Sequence, residues 1–277
     1  MRDLKIELSV DMKCDSCTED VARVLKAIPG LRSFDIDLEK KTVLVEGSAA
    51  PSEVYNKLKE TGRTVIVRGQ GSAYSENIGA AVCIFDEWAG TAAPLQPRQP
   101  KGLARFVQVD KNLCLIDVTV EGLAPGPHAL CVHELGDFTH GPKSTGDCFD
   151  MPSSSPPVCK SAANGRRPGE NEAVPRDPRH NHAGDVATIL VDANGRANAF
   201  TETTRFGVYD VIGRSLVIAE LRRIPKNANA WEKGAGVLGG IIARSAGLFE
   251  NTKVVCACSG KTLWEEAKET ATKQASL

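Results

Sequence analysis

The sequence predicts two folds in series, an α+β unit of order βαββαβ and an all-β barrel or sandwich, followed by a mostly irregular tail. Three observations carry this. Over residues 1–69 the apolar pattern alternates between the period of a strand and that of a helix. From about residue 78 only short alternating runs recur, separated by Gly and Pro turns. Past about residue 245 the apolar content is too low for an independent core.

Each element of the first unit has a local cause. Leu4-Lys5-Ile6-Glu7-Leu8-Ser9-Val10 alternates with period two, the mark of a half-buried strand. Val21, Val24, Leu25 and Ile28 recur at helical spacing, and Pro29-Gly30 ends that helix. Phe34, Ile36 and Leu38 alternate, as do Val43 and Val45, and Glu39-Lys40-Lys41 between them suits a hairpin. Pro51 opens a second helix at about 51–60, with Val54 and Leu58 on one face and Thr61-Gly62 at its exit. Val65 and Val67 form a last strand. This is the ferredoxin-like plan. Gly69-Gln70-Gly71-Ser72-Ala73 reads as a flexible linker. The expected division is therefore 1–69, a linker at 70–77, a β-rich unit at 78–245 and a tail at 246–277. Within the β-rich unit, residues 151–181 carry six prolines and read as a long insertion.

Charge and composition exclude several functions. The chain has 277 residues with 34 Lys+Arg against 35 Asp+Glu, a net charge of −1. There is no basic excess to release counterions from nucleic acid or an anionic membrane. No apolar run approaches the length of about 20 residues that spans a bilayer. The start, MRDLKIELSV, lacks the apolar stretch of a signal peptide, so the expectation is a cytosolic protein. Nine cysteines are clustered rather than scattered. In a reducing compartment, close pairs point to metal or redox chemistry rather than structural disulfides.

Met12-Lys13-Cys14-Asp15-Ser16-Cys17 lies between the first strand and the first helix. Two thiolates three positions apart on such a loop can point at one ion, and the positive end of the helix dipole favours thiolate at Cys17. Two sulfurs without an imidazole suit a soft, low-coordinate ion, best Cu(I). Tetrahedral zinc needs two further ligands, and residues 1–69 contain no other Cys and no His. A thioredoxin-like dithiol is the competing reading, but βαββαβ is not that fold's order. At the other end, Cys256-Ala257-Cys258 is too tight for a comfortable intramolecular disulfide, so its oxidised form would exchange readily. It also brings two thiolates within reach of one Cu(I).

Residues 1–69 resemble the heavy-metal-associated domain, whose MxCxxC signature is matched by Met12, Cys14 and Cys17. The resemblance implies Cu(I) on the two cysteines and an inward-packed Met12. The middle resembles copper/zinc superoxide dismutase, and so a Greek-key barrel. The matching segments are Gly126–Glu134 (GPHALCVHE), His180–Asp185 (HNHAGD), Val211–Ile218 (VIGRSLVI) and Gly240–Ala243 (GIIA). Against that family's copper ligands, Cys131 replaces the first histidine and His133 keeps the second. Cys148 stands at the bridging position and Ala219 at the last. A cycling copper centre needs several imidazoles, so dismutase activity is not expected. Pro142 and Gly239 stand where the family's disulfide would be, so no such bond is carried over. His182 and Asp185 match two zinc ligands, with Ala173 near the third. Residual zinc at His182 and Asp185, completed by Cys148, Cys159 or His180, competes with an unliganded loop. His128 matches a structural histidine. Cys83 and Cys114 read as small core residues.

Ala243–Asn251 (ARSAGLFEN), then CxC, then Leu263-Trp264-Glu265-Glu266 resembles the third domain of superoxide dismutase copper chaperones. All three resemblances occur in that family's order. They imply a metallochaperone that takes Cu(I) on Cys14 and Cys17. It would recognise a copper/zinc dismutase as a heterodimer through its look-alike domain and deliver copper or exchange disulfides through Cys256 and Cys258. A homodimer and a share in the mitochondrial intermembrane space are compatible with this. Two alternatives stand beside it, an active dismutase with fused metal-binding ends and a general copper buffer without a client.

Overall fold

The computed structural model describes residues 3–73, 78–88, 99–151, 182–224, 227–251, 262 and 264–265. The first unit runs β1 (Leu4–Val10), α1 (Asp15–Lys26), β2 (Leu31–Asp37), β3 (Thr42–Gly47), α2 (Pro51–Lys59) and β4 (Val65–Ser72). Its sheet has the order β2-β3-β1-β4, with β1 antiparallel to both neighbours. Leu4, Ile6, Leu8 and Val10 of β1 are buried beneath Val21 and Leu25 of α1 and Val54 and Leu58 of α2. That is the ferredoxin-like plan read from the period of the apolar residues.

Residues 70–72, expected to begin a linker, instead end β4. Ser72 pairs with Leu4, Gly71 with Lys5 and Gln70 with Ile6. The first half of β1 needs a partner on that side, and this outweighs the Gly-rich composition. The glycines have a packing role. A Cβ on Gly69 would lie 2.2 Å from the carbonyl oxygen of Gly247, so only glycine lets the chain after the barrel pass so close.

The second unit begins with β5 (Ala80–Phe85) and β6 (Glu87–Trp88), then β7 (Lys101–Asp110), β8 (Leu113–Glu121), β9 (Gly126–His133) and β10 (Thr139–Pro142). It continues with β11 (Asp185–Val191), β12 (Arg196–Thr203), a short α3 (Val208–Val211), β13 (Ser215–Ile224) and β14 (Asn227–Arg244). The sheet path is β11-β9-β13-β14-β5-β7-β8-β12, antiparallel throughout. Its two edge strands are joined by the Asp192–Gly195 turn, so the sheet nearly closes on itself. Phe85, Phe106, Ile116, Leu130, Leu216 and Ile218 fill the interior. Cys83 and Cys114 lie among them, fully buried, as small apolar side chains would.

The two units share a seam. Val107, Val109 and Leu115 of the β7–β8 hairpin pack into the core of the first unit. Asp117 of β8 caps α2 from outside its own unit. The Ser52 amide donates to its Oδ2 at 2.8 Å and the Ser52 hydroxyl to its Oδ1 at 2.6 Å, both buried. A carboxylate at a helix N-terminus satisfies an otherwise orphaned amide and complements the dipole. Arg105 balances the charge from 3.5 Å.

Candidate metal centre

β1 delivers the chain to Asp11, whose amide donates to the Thr64 carbonyl at 3.0 Å. Met12 is fully buried and so anchors the loop from below. Cys14 then occupies the N-cap of α1 in an extended conformation, with no side-chain capping bond. Its carbonyl accepts from the Cys17 amide at 2.9 Å, which starts the helix. This turn places the two sulfurs 3.6 Å apart, with Cys14 exposed and Cys17 half-buried. An ion with metal–sulfur bonds of about 2.3 Å can bridge sulfurs at that separation.

The electrostatics favour thiolate at Cys17. A backbone hydrogen bond at Lys13, then the Arg63 guanidinium, then the Cys14 thiol lower its pKa from 9.0 to about 7. Arg63 is held in place by Asp20, with Nη2 3.0 Å from Oδ2, and Asp20 also pairs with Arg23. Arg63 is absent from the sequence-level site. Its signal was the fold plan: Val10 pairs with Val65, so the α2–β4 loop lies beside the β1–α1 loop.

The tail cysteines Cys256 and Cys258 fall outside the described residues, as do Cys159 and His180. The flanks of the CxC segment are described, and both meet the first unit. The Phe249 amide donates to Glu7 Oε2 at 2.9 Å, and Arg68 donates to the Asn251 carbonyl. On the far side, Lys41 Nζ lies over the Trp264 ring, 5.6 Å from its centroid, and also pairs with Asp11 at 2.7 Å.

In the barrel, His182 and Asp185 share one turn. Asp185 Oδ2 accepts the His182 amide at 3.0 Å, while the His182 ring approaches Asp150 Oδ2 at 3.2 Å. Cys148 does not join them, contrary to one sequence-level option. It is bonded to Cys131, and His133 lies beside the pair. The reason is register: Cys148 faces His133 across a bridge on the strand that also carries Cys131. His128 is buried with Nδ1 3.1 Å from the Gly126 carbonyl, a local structural role. No helix among the described residues is long and apolar enough to cross a membrane.

Comparison with known proteins agrees with this geometry. The heavy-metal-associated domain family matches residues 7–64, and the copper/zinc superoxide dismutase family matches residues 100–243. The copper chaperone for superoxide dismutase of Mus musculus is 38% identical over 267 residues, covering 94% of this chain and 88% of that protein. The superoxide dismutase 1 copper chaperone of Debaryomyces hansenii is 34% identical over 273 residues, covering 98% of both chains. That of Saccharomyces cerevisiae is 34% identical over 263 residues, covering 94% and 93%. With an MxCxxC loop on a ferredoxin-like unit, a dismutase-like barrel behind it and relatives aligned along almost the whole length, the chain belongs to the copper chaperones for superoxide dismutase.

Proposed function

We propose that this chain carries Cu(I) on Cys14 and Cys17 and delivers it to a copper/zinc superoxide dismutase, acting as a metallochaperone rather than as a dismutase. The observation that carries the reading is the pair of accessible sulfurs 3.6 Å apart, one of them held near neutrality as a thiolate. Two soft donors at an open loop bind Cu(I) tightly yet leave it reachable, so an incoming thiolate can add before an old one leaves. The metal then passes between proteins without entering solution.

Recognition would use the barrel. The Gly213 amide donates to the Ile242 carbonyl and the Ile242 amide to the Arg214 carbonyl, both at 2.8 Å, so the Ile212–Arg214 and Gly240–Ala243 segments form one surface. Ile241 is 49% exposed on it, and Leu135 nearby is 53% exposed. A two-fold dimer interface is self-complementary, so a look-alike barrel can take one half of the client's dimer, or pair with its own copy when no client is present. Cys256 and Cys258 would complete the work by thiolate exchange with a client cysteine through a mixed disulfide. The anchoring of both tail flanks on the first unit supports a tail that reaches the Cys14–Cys17 loop. Residual zinc on His182 and Asp185 would draw its other ligands from residues 152–181. The thiol chemistry suits the cytosol, and fractionation against the mitochondrial intermembrane space tests that placement.

Reconstitution of an apo dismutase separates the parts. Cys14→Ser with Cys17→Ser should remove one equivalent of bound Cu(I) and abolish activation from limiting copper, with client binding retained. Ile241→Glu should retain copper and lose the heterodimer on gel filtration. Unchanged copper binding in the first variant would overturn the assignment of the metal site.

A further inference from the structure

The outer face of the first unit's sheet is covered, although an antiparallel sheet with helices on one side can leave the other to water. Leu4, Ile6, Leu8 and Val10 of β1 face the helices, so Glu7 and Ser9 face outward, yet they are only 7% and 4% exposed. Part of the cover is the segment Gly247–Asn251, which follows the barrel.

That face is built to hold backbone. Glu7 pairs with Gly69 and Leu8 with Val67, so Arg68 is the extra residue of a β-bulge. A bulge re-aims a side chain, and this one puts the Arg68 guanidinium beside Glu7, with Nε 3.8 Å from Oε1. The two side chains then take one donor and one acceptor of the segment. Glu7 Oε2 accepts the Phe249 amide at 2.9 Å, and Arg68 Nη2 donates to the Asn251 carbonyl. Charge-assisted bonds of this kind are about twice as strong as neutral ones. Two glycines clear the path. A Cβ on Gly71 would lie 3.1 Å from Leu248 Cδ1, and one on Gly69 only 2.2 Å from the Gly247 carbonyl oxygen.

The docked segment is held against strain. Phe249 has φ +61°, a left-handed conformation that a bulky residue rarely adopts, and it is 64% exposed. Glu250 closes the turn by accepting the Gly247 amide at 2.9 Å. Burial of the Phe249 ring does not offset the strain, so the charged pair from β1 and β4 keeps the turn in place.

We propose that the outer face of β1 and β4 is a backbone-binding dock whose resting occupant is the chain's own Gly247–Asn251 segment, with Glu7 and Arg68 as its clasp, and that the clasp opens before the tail serves a client. Cys256 follows Asn251 by five positions, at most about 18 Å of extended chain. A client cysteine beyond that reach is inaccessible to the tail until the segment leaves the dock. This delivery role rests on the tail chemistry proposed above, whereas the dock itself does not.

The test is hydrogen exchange of the full, metal-free chain, read on the peptide spanning 245–251. Gly69→Ala puts a methyl group where the Gly247 carbonyl lies and touches neither a thiol nor the helix-facing core. Exchange should accelerate about 10–100-fold, as expected for loss of hydrogen bonds to charged groups, with Cu(I) stoichiometry at Cys14 and Cys17 unchanged. Should the alanine disturb β4, Glu7→Gln keeps an acceptor, removes the charge and should accelerate exchange about tenfold. Phe249→Asn introduces a residue that tolerates the left-handed conformation and should slow exchange. The Cu(I)-loaded variants are then mixed with an apo dismutase. Gly69→Ala should activate it faster than wild type and Phe249→Asn more slowly. Unchanged exchange in both Gly69→Ala and Glu7→Gln would remove the dock. Accelerated exchange with unchanged or slower activation would make the contact a scaffold and overturn the clasp. Failure of the tail chemistry looks different: Cys256→Ser with Cys258→Ser would then activate as well as wild type, which removes the delivery role while the exchange results stand.

Discussion

The ferredoxin-like unit and the barrel each bring two cysteines together, and they treat them oppositely. Cys14 and Cys17 come from one turn at a helix start, stay at the surface and keep their sulfurs 3.6 Å apart. Cys131 comes from β9 and Cys148 from an isolated bridge 17 residues further along the sequence, and the two are bonded. Cys83 and Cys114 show a third treatment: burial raises both thiols, with the Asp86 charge adding to it at Cys83, and brings Cys114 to about 12. Sulfur chemistry in this chain is thus set by position. A loop with donor groups and solvent access leaves its thiols open to reaction, whereas a barrel wall joins its pair and a barrel core buries its thiols.

The sharpest test of that contrast is thiol reactivity. With Cys17 near 7 and Cys114 near 12, the thiolate fraction at neutral pH differs on the order of 10⁴–10⁵-fold, and the thiolate is the nucleophile. Iodoacetamide on the folded, metal-free chain, followed by peptide mass mapping, should label Cys17 well before Cys114. Comparable rates would break the comparison.

The seam between the units gives the next largest effect. Asp117→Ala would strip a nearly buried Arg105 of its ion-pair partner and Ser52 of two acceptors. Breaking a buried pair in this way costs about 3–5 kcal/mol. Urea unfolding followed by Trp fluorescence should show that loss, and a change below about 1 kcal/mol would mean the seam is cosmetic.

A smaller effect is expected at Arg63. Arg63→Met should raise the Cys17 midpoint above about 7, read as the pH dependence of alkylation. At pH 7 the rate should fall by less than about tenfold, because the Lys13 backbone bond, the larger cause, remains. The sign for stability follows from linkage. Cys17 has a lower pKa folded than its ordinary 9.0, so its contribution is full above about 9 and is lost as pH falls through about 7. Arg63→Met should flatten that dependence.

Much of this was legible in the residues. Period-two and period-3.6 patterns located β1, α1, β3 and α2, because burying one face of an element leaves its period in the sequence. The MxCxxC thiol pair was legible because its geometry is local: three positions into a helix bring two sulfurs together whatever surrounds them. Pairings between distant residues were not legible. The stretch 70–72 looked like a linker by composition and became strand because Leu4–Glu7 required a partner. Cys148 looked like a ligand available to His182 and Asp185, and barrel register gave it to Cys131 instead.

The sequence by itself thus determined the order of the two folds, the family and the N-terminal thiol pair, since each is written in local spacing or in a motif. The tertiary structure alone decided that Arg63 tunes Cys17 from 46 positions away, that Asp117 of the barrel caps α2, and that Cys131, His133 and Cys148 converge. Those depend on which strand edges meet and in what register. Strand pairing is chosen by the burial of whole faces, so no short segment carries the information that places such residues together.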